Sequence, residues 1–278
     1  MNLEQDLNPQ QLEAVKHTEG PLLIFAGAGS GKTRVITYRV AYLLAKGIPG
    51  RNILGLTFTN KAAETMRTRV NRLAGGAARD VFLGTFHAFA ATLLRAEIGR
   101  LGWPSSFSIY DEDDQKTVLK ECITEAHLDD KQYRPGMRAY RISRAKDDLI
   151  DPDSYAIYAA AGKSGYELPI ADVYARYQGH LHKNHALDFG DLLMYTETLF
   201  RDHPDLLEKY QERFRYILVD EYQDTNHAQH MMIRRLAAKY RNLCVVGDDD
   251  QSVYGWRGAD IRNILSFDRF TERQAKRP

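Results

Sequence analysis

At 278 residues, with 44% hydrophobic and 27% charged residues, the chain has the length of about two domains and a composition that excludes wholesale disorder. Its 38 basic residues balance 37 acidic ones, so overall charge gives no pull towards nucleic acid and any such site is a local patch. Cys122 and Cys244 lie far apart and form no ligand pair, which fits a reducing compartment. The polar, acidic opening Met1-Asn-Leu-Glu-Gln-Asp is no signal peptide and no apolar run nears membrane-spanning length, so a cytoplasmic location without a membrane partner is expected.

The first element is a capped helix over Leu7-Asn-Pro-Gln-Gln-Leu-Glu-Ala-Val15, with Asn8 as N-cap, Pro9 at the first helical position and Leu12 and Val15 on one face. Gln10 and Gln11 fall on its exposed side. An amide there offers a donor and an acceptor to a purine edge, whereas spacing alone reads both as solvated surface. The apolar run from Leu22 then stops in a glycine-rich turn, Ala26-Gly-Ala-Gly-Ser-Gly-Lys-Thr-Arg34. Strand, phosphate loop and helix in this order let backbone N–H groups and the helix's positive end converge on phosphate oxygens. Lys32 is placed to reach the β- and γ-phosphates and Thr33 to hold Mg²⁺ through its hydroxyl. The strict pattern begins with Gly where this chain has Ala26, and the alternative is an ordinary glycine-rich turn. A bound nucleoside triphosphate is the expectation.

Val35 to Lys46 has helical periodicity, and Ile53-Leu-Gly-Leu-Thr-Phe58 is a second buried strand that ends in Thr57-Phe-Thr-Asn-Lys61, on the edge where open α/β sheets hold ligands. The next helix, Ala62 to Leu73, carries Arg67, Arg69 and Arg72 beside Lys61. This suits phosphate contacts with base stacking by Phe58, or else a solvated charged face with Phe58 in the core. A third strand over Asp80-Val-Phe-Leu-Gly-Thr-Phe86 leads into a helix from His87 to Ile98. His87 reads as a packing or capping residue by itself, and as a ligand contact by sharing the edge with Phe58.

From Ile109 the pattern turns helical, with Asp111-Glu-Asp-Asp114 at a helix start and Val118, Leu119, Cys122 and Ile123 on its apolar face. Strand signals vanish until Tyr216, so this stretch is expected to be an all-helical insertion in an α/β domain. His180-Leu-His-Lys-Asn-His185 resembles a zinc tract, but it has no Cys and no closing carboxylate cluster at ligand spacing, so no metal is expected there.

Tyr216-Ile-Leu-Val-Asp-Glu-Tyr-Gln-Asp-Thr225 is a buried strand from which Asp220 and Glu221 emerge. Asp220 is suited to complete the Mg²⁺ shell and Glu221 to orient and deprotonate the attacking water. Adjacent residues of a strand point to opposite faces, so the chain must turn at Glu221 for both to work. The last strand, Asn242-Leu-Cys-Val-Val-Gly-Asp248, runs towards Gln251, a candidate sensor of the γ-phosphate, and then Tyr254, Trp256 and Arg257. That aromatic–cationic cluster reads as a stacking platform for single-stranded nucleic acid or as the closure of a domain interface.

Taken together, Leu7-Asn-Pro-Gln-Gln11, Ala26 to Arg34, Thr57-Phe-Thr-Asn-Lys-Ala-Ala63, Gly84-Thr-Phe-His87, Leu187-Asp-Phe189, Val219-Asp-Glu-Tyr-Gln-Asp-Thr-Asn226 and Gly247-Asp-Asp-Asp-Gln-Ser-Val-Tyr-Gly-Trp-Arg-Gly-Ala259 resemble the amino-terminal half of a superfamily-one DNA helicase of the UvrD/Rep/PcrA type. The family's loop commonly begins with Ala, as at Ala26. The resemblance implies an α/β, P-loop NTPase fold, a RecA-like parallel sheet flanked by helices with an all-helical inserted domain. The first RecA-like domain would take residues 1–88 and 210–278, and the insertion 89–209.

It implies ATP and Mg²⁺ as cofactors. Gln11 would read the adenine and Arg34 pack against it, while Ala26, Gly27, Ala28, Gly29, Ser30 and Gly31 cradle phosphates. Lys32, Thr33, Asp220, Glu221 and Gln251 would handle phosphates and metal. Phe58, Asn60, His87, Tyr254 and Trp256, with Arg257 beside them, would meet single-stranded DNA at a duplex junction, with movement 3′ to 5′. The family's second RecA-like domain, which brings arginines to the transition state, is expected just beyond Ile264 and is not seen. By itself the chain should therefore hydrolyse ATP poorly and not unwind DNA. A non-catalytic, nucleotide-regulated module for single-stranded DNA is the rival reading. A small-molecule kinase, the third, has no need of the aromatic cluster.

Overall fold

The computed structural model describes residues 2–25, 27, 31–129, 131, 133–162, 167–248 and 267. The chain divides into two compact units, one of Met1–Phe89 with Phe200–Pro278 and one of Ala90–Leu199. In chain order the first stretch holds α1 (Leu3–Asp6), α2 (Pro9–Lys16), β1 (Leu22–Phe25), α3 (Lys32–Ala45), β2 (Ile53–Thr57), α4 (Asn60–Ala74), β3 (Phe82–Thr85) and α5 (Phe86–Glu97). There follow β4 (Ser108–Ile109), α6 (Glu112–Glu125), α7 (Pro135–Asp147), α8 (Pro152–Ala161), α9 (Glu167–Lys183), β5 (Ala186–Leu187) and α10 (Phe189–Asp202). The chain ends its described path with α11 (Pro204–Arg213), β6 (Tyr216–Val219), α12 (His227–Ala237) and β7 (Asn242–Gly247). No helix among the described residues is long and apolar enough to cross a membrane.

The large sheet has the order β1-β7-β6-β2-β3 with every pair parallel, set by registers such as Leu23 opposite Val245, Leu218 opposite Cys244 and Leu54 opposite Ile217. A parallel sheet is covered by helices on both faces, which is why its strands are apolar runs rather than alternating ones; β2 and β7 are buried along their whole length. A Cβ at Gly55 in β2 would lie 2.5 Å from the Leu83 side chain of β3, so a larger residue there would displace Leu83. Because all five strands run the same way, their carboxyl ends share one edge. The phosphate loop follows β1, Asp248 follows β7, Asp220 follows β6, Phe58 follows β2, and His87 comes just after β3.

Asn8 caps α2 as its spacing predicts, in a reciprocal capping box with Gln11, and Asn226 and Gln229 do the same for α12. One residue that periodicity does not single out fixes α2 in place. The buried Arg39 of α3 donates to the carbonyls of Ala14 (2.7 Å) and His17 at the end of α2, where a helix presents unpaired carbonyls and favours a cation. Leu7, Val15, Val35 and Tyr38 fill the space between the two helices.

The second unit packs α6, α7, α8 and α9 around Leu119, Cys122, Ile123, Ile142, Val173, Tyr174 and Leu181. It also holds a small parallel pair, Ser108 opposite Ala186 and Ile109 opposite Leu187, too short for a period of two to show in the sequence. At the start of α10, Asp188 and Asp191 accept each other's backbone N–H at 2.9 and 3.1 Å. The fully buried Lys146 lies 2.7 Å from a carboxylate oxygen of each, and the Tyr177 hydroxyl donates to Asp188 at 2.9 Å. Burial works against the Asp188 carboxylate, but the Lys146 ammonium outweighs it and holds the group below its ordinary range. Burial, followed by the Asp188 charge, pushes the Asp191 carboxyl up to about 6.

Candidate functional site

Gly31 closes the turn after β1 in the left-handed region, φ +89°, and caps α3 without a side chain. A Cβ there would come within 3.0 Å of the Gln11 amide nitrogen, so the Gln11 side chain lies against the loop's last glycine. The Gln11 amide oxygen accepts from the Asn8 backbone N–H at 3.2 Å, which turns its nitrogen towards the loop. Lys32 and Thr33 occupy the first turn of α3. Lys32 is only 8% exposed, with its ammonium 3.3 Å from Glu221 and 3.4 Å from Asp248. The Thr33 hydroxyl donates to Asp220 at 3.2 Å.

The carboxylates reach this point through a change of backbone course. Asp220 is still held to the sheet, its N–H donating to the Leu56 carbonyl at 2.9 Å. The next residue, Glu221, takes φ +52° and ψ +46°, a left-handed conformation uncommon for a residue with a Cβ. This is the turn that two adjacent working carboxylates require. Gln223, almost fully buried, then bridges the ends of β6 and β7: its amide nitrogen donates to Glu221 at 2.9 Å, and its oxygen accepts from the Asp248 N–H at 3.1 Å. Burial first, and the Glu221 charge next, push the Asp220 carboxyl up to about 6, against the Thr33 hydrogen bond, the Glu221 N–H and the Lys32 charge.

These residues fit Mg²⁺ and a triphosphate on chemical grounds. A hydroxyl and a carboxylate are the hard oxygen donors that Mg²⁺ takes. Among the described residues, three carboxylates, Asp220, Glu221 and Asp248, gather near the ammonium of Lys32, the arrangement that a divalent cation and a phosphate together would complete. Gln223 and Asp248 were not among the residues the sequence singled out. Gln223 sits inside the Asp-Glu-Tyr-Gln-Asp run and Asp248 ends a buried strand, but only the adjacency of β6 and β7 brings them together.

Along the other half of the edge, the half-buried Phe58 ring lies 5.4 Å from that of the buried Phe86. Asn60 is exposed in the first turn of α4, which Thr59 caps by accepting the Ala62 N–H at 3.1 Å. His87 is half-buried at the start of α5. Arg34 is exposed, its guanidinium 5.7 Å from the Tyr38 ring. Arg67 does not belong with Arg69 and Arg72 as a candidate phosphate contact. Its Nε donates to the Leu83 carbonyl at 3.0 Å and its guanidinium pairs with Glu64, so it ties α4 to β3. Ala26, Ala28, Gly29, Ser30, Gln251, Tyr254, Trp256 and Arg257 lie outside the described residues.

A phosphate loop after an edge strand, two carboxylates after a strand two places away, and all strand ends on one side define a RecA-like α/β domain. Comparison with known proteins narrows this class. The UvrD/REP helicase N-terminal domain family matches residues 7–272. The chain is 52% identical over 95% of its length to the ATP-dependent DNA helicase PcrA of Bacillus subtilis, and 50% identical over 95% to PcrA of Staphylococcus aureus strain Mu50. It is 49% identical over 96% to PcrA of Staphylococcus epidermidis. The chain spans 35–36% of the length of these relatives. It belongs to the UvrD/REP helicase N-terminal domain family.

Proposed function

We propose that this chain binds Mg²⁺–ATP on the β1-β7-β6 part of the sheet edge and single-stranded DNA on the β2-β3 part. On this reading it is the amino-terminal motor half of a 3′-to-5′ DNA helicase. The observation that carries the nucleotide half is the convergence of Lys32, Thr33, Asp220 and Glu221 from two separate strands, with contacts of 3.2–3.3 Å between the loop and the carboxylates. Lys32 meets the β- and γ-phosphate oxygens, and Thr33 and Asp220 hold the cation. Mg²⁺, when bound, neutralises phosphate charge. Gln11 contacts the adenine edge with Arg34 against the base, and Gln251 senses the γ-phosphate. Glu221 orients the attacking water and its carboxylate accepts the proton. Gln223, by donating to Glu221 and accepting from the Asp248 N–H, couples the position of that base to the strand that leads to Gln251, Tyr254, Trp256 and Arg257.

The DNA half rests on Phe58, Asn60 and His87 lying just past the ends of β2 and β3, and 3′-to-5′ movement with contact at duplex junctions is part of the same proposal. In related phosphoryl-transfer enzymes an arginine from outside the phosphate-binding domain is worth about 10³–10⁵ in rate. We infer that this chain by itself binds ATP and turns it over slowly. Lys32→Ala should abolish nucleotide binding, whereas Glu221→Gln should keep binding and lose hydrolysis. Undiminished turnover in the Glu221 variant removes it from the base role. A kcat for this chain equal to that of a complete motor refutes slow turnover.

A further inference from the structure

Cys122 and Glu125 stand three residues apart on α6, on the face that packs against α9, and His180 faces them from α9. The sequence around His180 has no cysteine and no closing carboxylates; the fold supplies both from a helix more than fifty residues earlier. One ligand atom from each of Cys122, Glu125 and His180 lies within 4.8 Å of the other two. His180 Nε2 is 3.1 Å from both carboxylate oxygens of Glu125, and its Nδ1 is 3.9 Å from Glu121.

We propose that Cys122, Glu125 and His180 bind a zinc-class divalent cation that clamps α6 to α9. The donor set selects the metal class: a thiolate and an imidazole favour Zn²⁺ and its transition-metal relatives over Mg²⁺ and Ca²⁺. The spacing suits it too. Tetrahedral zinc bond lengths put neighbouring donor atoms about 3.3–3.6 Å apart. The imidazole–carboxylate pair is already at that distance, and the remaining gap closes with about 1 Å of side-chain movement.

Glu121 then takes the outer position that carboxylates hold behind metal-bound histidines, fixing the ring from its far nitrogen. Glu125, 45% exposed, opens the cluster to water. Cys122 is fully buried, and burial, with the charges of Glu125 and Glu121, pushes its thiol up to about 12. The carboxylates that oppose a bare thiolate are the ones that attract a cation, and on binding the thiol proton leaves to solvent. The rival arrangement is a plain interhelical ion pair between His180 and Glu125, which has no use for the cysteine.

The test is to titrate the whole reduced chain with Co²⁺ and then displace it with Zn²⁺. The expected result is one equivalent bound with a thiolate-to-cobalt charge-transfer band and the visible bands of a tetrahedral centre, both lost on adding Zn²⁺. Co²⁺ held by Thr33 and Asp220 has no thiolate ligand and gives no such band, so the band counts the α6–α9 site alone. Cys122→Ser should remove the band. Should that buried substitution unfold the helices, His180→Gln at a half-exposed position carries the same test through at least a tenfold loss of affinity. Glu121→Gln should weaken binding by about 10–100-fold and leave the band in place. Absence of the band in the unaltered chain, its survival in Cys122→Ser, or undiminished affinity in His180→Gln overturns the proposal.

Discussion

Lys32 and Lys146 each face two carboxylates, but the two clusters are built to opposite ends. Around Lys146 the contacts run from 2.7 to 3.1 Å: two aspartates, their own backbone N–H groups and the Tyr177 hydroxyl close on one ammonium that has no exposure at all. Around Lys32 the contacts are 3.3 and 3.4 Å, Glu221 is 36% exposed, and a third carboxylate, Asp220, stands close by with its carboxyl pushed up to about 6. A closed network fixes α7, α9 and α10 to one another. An open one, with three carboxylates near one lysine among the described residues, leaves donors for the cation and the anion proposed above.

Breaking the closed cluster should have the largest effect. Lys146→Met leaves two aspartates buried without a countercharge and should cost about 3–5 kcal/mol in urea unfolding of the chain, with nucleotide binding kept by whatever remains folded. A loss below about 1 kcal/mol means that water or rearrangement relieves the aspartates and the network is not closed.

Titration distinguishes the clusters next. The folded-state pKa of Asp220, about 6, lies above its unfolded value of 3.8, so the folded chain keeps a proton that the unfolded chain gives up. The stability this gives is complete below about pH 4 and is lost as pH rises through about 6, amounting to about 2–3 kcal/mol. Asp220→Asn has no such slope, so the stability difference between the two proteins should change across that window, and saturating Mg²⁺ should flatten it. A difference that stays constant with pH means that Asp220 is ionised in the folded chain and its burial does not hold the proton.

Lys32→Met should cost less than Lys146→Met, about 1–3 kcal/mol, because Glu221 reaches solvent and only Asp248 is left buried without its partner, while nucleotide affinity disappears in a binding titration. A destabilisation as large as that of Lys146→Met erases the contrast. The smallest expected change runs the other way. Glu221 adopts a left-handed conformation that costs a residue with a Cβ about 1 kcal/mol, so Glu221→Gly should raise the unfolding midpoint slightly as hydrolysis is lost. An unchanged or lowered midpoint says that the Glu221 carboxylate stabilises the fold more than its backbone strains it.

The contrast also sorts what the sequence discloses. The phosphate loop and the strand bearing Asp220 are contiguous patterns whose glycines, apolar runs and charged ends each have one local cause, and they are readable without a fold. The same holds for the N-cap at Asn8 and the turn demanded at Glu221. Lys146 pairs with residues 42 and 45 positions away, Arg39 caps a helix 22 positions upstream, and Cys122 meets His180 across 58 positions; no window of sequence contains any of these. Gln223 and Asp248 belong to the same group, since they meet only because β6 and β7 are neighbours. Arg67 shows the converse failure, a basic residue in a basic stripe whose guanidinium is engaged by the Leu83 carbonyl.

The order β1-β7-β6-β2-β3 carries a further consequence for how the chain comes into being. β1 and β2 follow one another in sequence but leave a gap two strands wide, about 10 Å of open edges, for β7 and β6. The filling strands are made late: 190 residues separate the end of β2 from the end of β7. At ordinary elongation rates of about 5–20 residues per second, the nascent amino-terminal segment waits roughly 10–40 s with apolar strand edges unpaired. During that interval the helices of residues 90–199 are synthesised, and their local contacts form fast enough to fold before the sheet closes. The sheet therefore cannot close until β6 and β7, which lead to Asp220 and Asp248, have been made.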